Sequence, residues 1–253
     1  MPMSSFSLEG KVAIVTGGGT GIGRGIALEF AQAGADVVVA SRRLSVLEKV
    51  SEEVRALGKR SLAVRTDISQ KTDVDNLVQR VMDEFGAIDI LVNNAAVWIK
   101  KRMLEFSEDE WDKIMDVNIK GYYLCSQAVG KRMVQQKRGN IISIASVSSF
   151  EVNEGEGPYC ISKAGVAMLT RALAKELARY NIRVNAIAPG TIRTPMGDID
   201  WSDPVAIKKE EAKIPMGWTA EPSDIGSVAV FLASEASRYI TGDIILVDGG
   251  YLA

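Results

Sequence analysis

Residues 11–34 read KVAIVTGGGTGIGRGIALEFAQAG, and three kinds of local structure follow one another within them. Lys11 to Thr16 is a short run rich in branched apolar residues and bounded by glycine, the pattern of a buried strand. Gly17 to Gly23 forms a glycine turn, and Arg24 to Ala33 carries the apolar spacing of an amphipathic helix closed by Gly34. A strand, a glycine turn and a helix start make an anion site, because unpaired backbone N–H groups and the positive end of the helix dipole point at the same place. The glycine spacing is Thr-Gly-x-x-x-Gly-x-Gly, with Gly17, Gly21 and Gly23 as fixed points, rather than G-x-G-x-x-G.

The same alternation continues down the chain. Strands are predicted at Asp36–Ser41, Ser61–Arg65, 88–92, Asn140–Ile144, Arg183–Ile187 and Asp243–Val247, with helices at Leu44–Leu57 and Gln70–Phe85 and a long one from Glu108. Strands separated by helices form right-handed βαβ units, hence an α/β fold with a parallel sheet covered on both faces. No repeat or linker divides the chain, so one domain over 1–253 is expected. Ligands of such sheets bind beyond the carboxyl ends of the strands, where Gly17, Ser41, Asp67 and Asn93 all fall.

Those strand ends favour a particular dinucleotide. An NAD site places a carboxylate after the second strand to accept from the ribose hydroxyl, whereas a 2′-phosphate asks for a guanidinium and small donors. This chain has Ser41, Arg42 and Arg43 there, so NADP is expected ahead of NAD. Asp67-Ile68 ends the third strand, where the carboxylate could accept from an adenine amino group or could cap the next helix. Asn93-Asn94-Ala95-Ala96 ends the fourth, and its small residues let a flat cofactor pass close to the backbone.

Composition removes several function classes. The 253 residues are 47% hydrophobic with a formal net charge of −2, and lysine and arginine are spread without the basic clusters that nucleic acid would require. Histidine is absent, which excludes Ser-His-Asp hydrolysis and histidine-metal sites. No metal site is expected. The two cysteines, Cys125 and Cys160, form no CxxC pair and suit a reducing compartment. With no leader pattern in MPMSSFSLEG and no apolar run of membrane length, a cytoplasmic location and no membrane partner are expected.

The chemistry-bearing stretch is Ser146 to Lys163, SVSSFEVNEGEGPYCISK. Tyr159 and Lys163 lie four residues apart, one turn along a common helix face. An ammonium that close favours the phenolate, which lets a phenol of ordinary pKa ~10 trade protons nearer neutrality. Asn118, on the apolar face of the helical stretch around Asp116 to Gly121, must satisfy its amide by backbone bonding or by holding a water.

Nearly the whole chain resembles the short-chain dehydrogenase/reductase family in its roughly 250-residue form. The matching pieces are Thr16 to Gly23, Asn93 to Ala96, Asn118, Ser146, Tyr159-x-x-x-Lys163 and Pro189-Gly190 with Thr194, in the family's order and spacing. The resemblance implies a doubly wound, seven-stranded Rossmann-like sheet and hydride transfer between a nicotinamide and an alcohol or carbonyl substrate. It implies Tyr159 as general acid–base, Lys163 lowering the tyrosine pKa and bonding the ribose, Ser146 donating to the carbonyl oxygen, and Asn118 keeping a relay water. It also assigns the cofactor to Gly17, Thr20, Gly21, Ile22, Gly23, Ser41, Arg42, Arg43, Asp67, Ile68, Asn94, Ala95, Pro189, Gly190, Ile192 and Thr194, beside Tyr159 and Lys163. A small-molecule substrate under a lid at about 191–218 and a homotetramer are further expectations from the resemblance. Ala96 stands where the family usually has glycine, and Thr20 where many NADP-preferring members have a basic residue. The tail through Tyr239 to Gly242 is similar both to glucose 1-dehydrogenase-type members and to 3-oxoacyl-carrier-protein reductases, which leaves sugar or polyol and acyl thioester substrates open.

Overall fold

The computed structural model describes residues 5–253, so the first four residues of the N-terminal segment read above lie outside the described residues. The first half alternates as β1 (Val12–Thr16), α1 (Gly21–Gln32), β2 (Asp36–Ser41), α2 (Leu44–Ala56), β3 (Ser61–Arg65), α3 (Lys71–Phe85) and β4 (Ile90–Asn93). The second half runs α4 (Glu108–Met115), a π-helical turn (Asp116–Lys120), α5 (Gly121–Gln136), β5 (Gly139–Ile144), α6 (Gly157–Leu177) and β6 (Ile182–Pro189). It ends with α7 (Pro204–Glu211), α8 (Pro222–Ala233) and β7 (Ile244–Val247).

All seven strands are parallel, in the order β3-β2-β1-β4-β5-β6-β7. The chain builds outward from β1 through β3 and then returns to place β4 on the other side of β1. That reversal opens a crevice between β1 and β4 at the carboxyl edge. Residues of the central strands alternate between two buried faces, which is why they read as unbroken apolar runs. Val15, Val39, Val92 and Ile142 meet Ile26, Phe30, Leu47 and Ile225 on one face. Ile14, Val38, Leu91 and Ile141 meet Leu77, Tyr122, Val129 and Val166 on the other.

Two boundaries differ from the sequence reading in ways that matter for the site. Helix α1 starts at Gly21 rather than Arg24, so the last two motif glycines form its first turn. The long helix from Glu108 opens with a Ser107–Glu110 capping box but changes to a π-helical turn at Asn118. A π turn inserts one residue into the helical repeat, and such turns gather at functional sites.

Candidate active site

The glycine turn closes by direct backbone approach. Gly17 has φ +66°, and a side chain at Gly23 would put its Cβ 2.3 Å from the Gly17 carbonyl oxygen and 2.5 Å from Asn94 Nδ2. Thr16 ties this turn to the end of β4. Its hydroxyl donates to the Val92 carbonyl at 3.1 Å and accepts from the Asn94 and Ala95 N–H groups at 3.0 and 3.2 Å. Asn94 Nδ2 donates back to the Thr16 carbonyl at 2.8 Å. At the start of α1, Thr20 makes no side-chain cap and the first turn holds no acidic residue, so its N–H groups stay free for an anion.

The neighbouring strand ends complete this half. Arg42 and Arg43 line the same cavity, and neither guanidinium has an ion-pair partner among the described residues. Asp67 resolves into a turn former, since its Oδ1 accepts from the Ser69 N–H and hydroxyl at 3.0 and 2.7 Å, while the N-cap position of α3 falls to Gln70, whose side chain makes no capping bond. It lines the cavity as well, with Ile68. Across the crevice, Gly190 follows β6, its N–H bonded to the Val247 carbonyl at 3.0 Å, and Thr194 lies over the start of α1, 3.1 Å from where a Gly21 Cβ would be. The fit to a dinucleotide phosphate rests on these features together: a cradle that a single Cβ would fill, an uncapped helix start and two unpaired guanidinium groups.

The other half is carried by α6. Tyr159 and Lys163 occupy its first two turns, as the four-residue spacing predicts. Ser146 begins a short 3-10 turn, its Oγ accepting from the Ser148 N–H at 3.1 Å, and its hydroxyl lies close enough to the Tyr159 phenol to favour the phenolate. The expected effect of Lys163 on Tyr159 is not found in this structure. Burial pushes Tyr159 up to about 12, with the Ser146 hydroxyl as the opposing influence. Lys163 is 1% exposed, and burial pushes it down to about 7. The physical reason is the direction of the ammonium. Lys163 Nζ donates to the Ile144 carbonyl at 2.7 Å and to the Tyr122 hydroxyl at 3.5 Å, and lies 5.6 Å from the Tyr159 ring centre. Tyr122, fully buried on α5, was not singled out by sequence reasoning; its place one turn after Asn118 was the available signal.

Asn118 does not line the cavity. Its Oδ1 accepts from the Val97 N–H at 2.8 Å, and its Nδ2 donates to the Val97 carbonyl at 2.9 Å and to Ser162 Oγ at 3.1 Å. Both amide donors are spent within the protein, as the backbone-bonding role requires. The residue splints the loop after β4 to the helix that bears Tyr159.

A cavity of about 910 Å³ joins the two halves. Among the expected site residues all line it except Gly23, which packs beneath the turn, and Asn118. Its far end is walled by three loops and the C-terminal tail: Trp98 and Lys100 after β4, Asn153, Glu154 and Glu156 before α6, Met196 and Asp198 after β6, and Tyr251. Lys100 bonds Asp198 across the opening at 2.7 Å. Of the large apolar residues on these loops, Trp98 and Met196 line the cavity, while Trp201 donates its indole N–H to the Thr194 carbonyl at 2.9 Å. Glu210, Lys213 and Tyr251 also reach the cavity and were missed. The position of Tyr251 just past the carboxyl end of β7 was the signal that could have found it.

A family model described as enoyl-(acyl carrier protein) reductase matches residues 17–252. The chain is 44% identical, over the full length of both, to 2-dehydro-3-deoxy-D-gluconate 5-dehydrogenase of Escherichia coli (strain K12). A crystal structure of a short-chain type dehydrogenase/reductase from Mycobacterium marinum is 40% identical, with TM-score 0.91 over 97% of each chain. A gluconate 5-dehydrogenase from Burkholderia cenocepacia, solved in complex with NADP and tartrate, is 32% identical with TM-score 0.94, over 100% of this chain and 99% of that one.

Proposed function

Since the chain belongs to the short-chain dehydrogenase/reductase family, we propose that it is an NADP(H)-dependent oxidoreductase that interconverts an alcohol and a carbonyl compound. The observation that carries this reading is the convergence, on one cavity, of the glycine turn, two unpaired arginines and the Ser146, Tyr159 and Lys163 set.

When bound, the nicotinamide supplies or accepts the hydride. The chain's own residues manage the proton and the charge. Tyr159, protonated at neutral pH because it is buried, gives its phenolic proton to the carbonyl oxygen during reduction. Ser146 donates a hydrogen bond to the same oxygen and so stabilises the charge that develops there. In oxidation the phenol must ionise, and Ser146 is the neighbour that favours this. Lys163 carries donors for the ribose hydroxyls. Asn118 acts at one remove by fixing Val97 and Ser162.

Preference for NADP over NAD rests on Ser41, Arg42 and Arg43, at a strand end with no carboxylate to bond a ribose hydroxyl. It is supported by the NADP held in the Burkholderia relative. The chain acts as one domain, with residues 191–218 as the substrate lid fastened by the Lys100–Asp198 pair. A cytoplasmic homotetramer acting on a small molecule completes the reading. Sugar and polyol substrates are favoured over acyl thioesters by the names of the sugar-acid relatives.

The test is a panel of ketones and alcohols followed by nicotinamide absorbance with each cofactor. Turnover with NADPH or NADP exceeding that with NADH or NAD is expected. Tight NADPH binding with no turnover on any compound would instead favour a cofactor-binding regulatory or scaffolding protein of the same fold.

A further inference from the structure

Glu156 sits three residues before Tyr159, at the N-cap of α6. An acidic N-cap ordinarily turns back to accept from the first free N–H groups of its helix. Glu156 makes no such bond, and Pro158 in the first turn brings no N–H of its own. Its side chain lines the cavity instead, close to the Trp98 and Asn153 side chains, whose proximity favours its charged form. It lies close enough to Tyr159 for its charge to raise the phenol further.

The charges around it are already matched. Lys100 is taken by Asp198 at 2.7 Å and Lys213 by Glu210 at 2.7 Å. Behind the lid, Arg193 is shared by Glu211 and Glu221 at 3.4 and 3.6 Å. Glu154 lies 3.9 Å from Arg102 at the exposed rim. What remains on the cavity wall near Tyr159 is one half-buried carboxylate, which feels the Lys100 charge but makes no ion pair with it. A carboxylate is an acceptor only, and it can take two neighbouring hydroxyl donors at once. A substrate carboxylate would meet like charge there and would find Lys100 and Lys213 already paired.

Resting on the oxidoreductase reading, we infer that Glu156 sets substrate specificity: it accepts from hydroxyl groups beside the reacting carbon and selects a neutral polyhydroxy alcohol or carbonyl over its carboxylate-bearing counterpart. This chain then parts from its sugar-acid relatives in substrate charge while keeping their chemistry. Glu156 stands just before α6 and belongs to none of the cofactor motifs.

The test measures kcat and KM with NADP on matched pairs that differ only in a terminal CH₂OH or carboxylate: sorbitol and gluconate, xylitol and xylonate, threitol and threonate. The wild-type protein is expected to favour the polyol of each pair by about tenfold or more in kcat/KM, chiefly through KM, with Glu156→Gln narrowing that ratio by about tenfold. Thermal unfolding and NADPH affinity should be unchanged in Glu156→Gln, since the side chain caps nothing. Preference for the aldonate, or a ratio untouched by Glu156→Gln, overturns the inference. Preference for glucamine over sorbitol overturns it in favour of a cationic substrate. If no member of any pair reacts while other ketones of the panel consume NADPH, the polyol class is wrong and the oxidoreductase reading stands; if nothing reacts at all, that reading itself fails.

Discussion

At the dinucleotide end of the cavity, Thr16, Gly17, Gly23 and Asn94 close on one another through backbone atoms and one hydroxyl, within a few ångströms. At the substrate end the walls are held by side chains that reach across the opening, as Lys100 does to Asp198, its partner 98 residues further along the chain. The first construction admits almost no substitution, because a Cβ at Gly23 meets a carbonyl oxygen at 2.3 Å. The second tolerates exchange: exposed ion pairs contribute only about 0–1 kcal/mol each, so a wall can change charge without unfolding the protein. One end therefore fixes what all members of such a fold bind, while the other is free to set what each transforms.

If the two ends are separable in this way, changes at one should leave the other's readout alone. The largest effect is expected for Tyr159→Phe, which should lower kcat by about a thousandfold while NADPH affinity by fluorescence titration stays within about twofold, since only the proton donor is lost. A parallel loss of NADPH binding would tie the two ends together.

Arg42→Ala should act on the opposite end, weakening NADPH by about ten- to a hundredfold, the worth of a charge-assisted phosphate contact, and NADH by no more than about twofold. Equal losses for both cofactors, measured by calorimetry, would remove the 2′-phosphate from the account.

A smaller effect links the ends through pH. Burial lowers Lys163 to about 7 in the folded protein, whereas the unfolded chain keeps that proton to ~10.4. Between these values the unfolded state binds more protons, so this group's contribution to stability rises as pH increases through the window. Without cofactor, the melting temperature of the wild type relative to Lys163→Met should climb between about pH 7 and pH 10. A constant difference across that range would mean that Lys163 does not titrate there.

The same contrast explains what could be read from the sequence. The glycine spacing from Gly17 to Gly23, the strand-end residues Ser41 to Arg43 and the Tyr159–Lys163 interval are local patterns, and each occupies the element that its spacing implies. A parallel sheet covered on both faces followed from alternation, its doubly wound, seven-stranded order from the family resemblance, and the strand order bears both out. Long-range direction was not legible. Nothing in the four-residue interval tells that Lys163 would turn to the Ile144 carbonyl and Tyr122, leaving burial to dominate Tyr159. Nor could spacing show that Asn118 would spend its amide on Val97 and Ser162, 21 and 44 residues away. Glu156 was visible only as one of three glutamates in a loop; its failure to cap α6 is a property of the folded backbone.

The claim beneath all of this is direct hydride transfer within the one cavity. It is tested by supplying NADPH dideuterated at C4 of the nicotinamide with a ketone that the protein turns over, and locating the label in the product by mass spectrometry and NMR. Deuterium on the carbinol carbon of the alcohol is the predicted result, with the hydroxyl proton drawn from solvent through Tyr159. An alcohol with no deuterium at that carbon would contradict it.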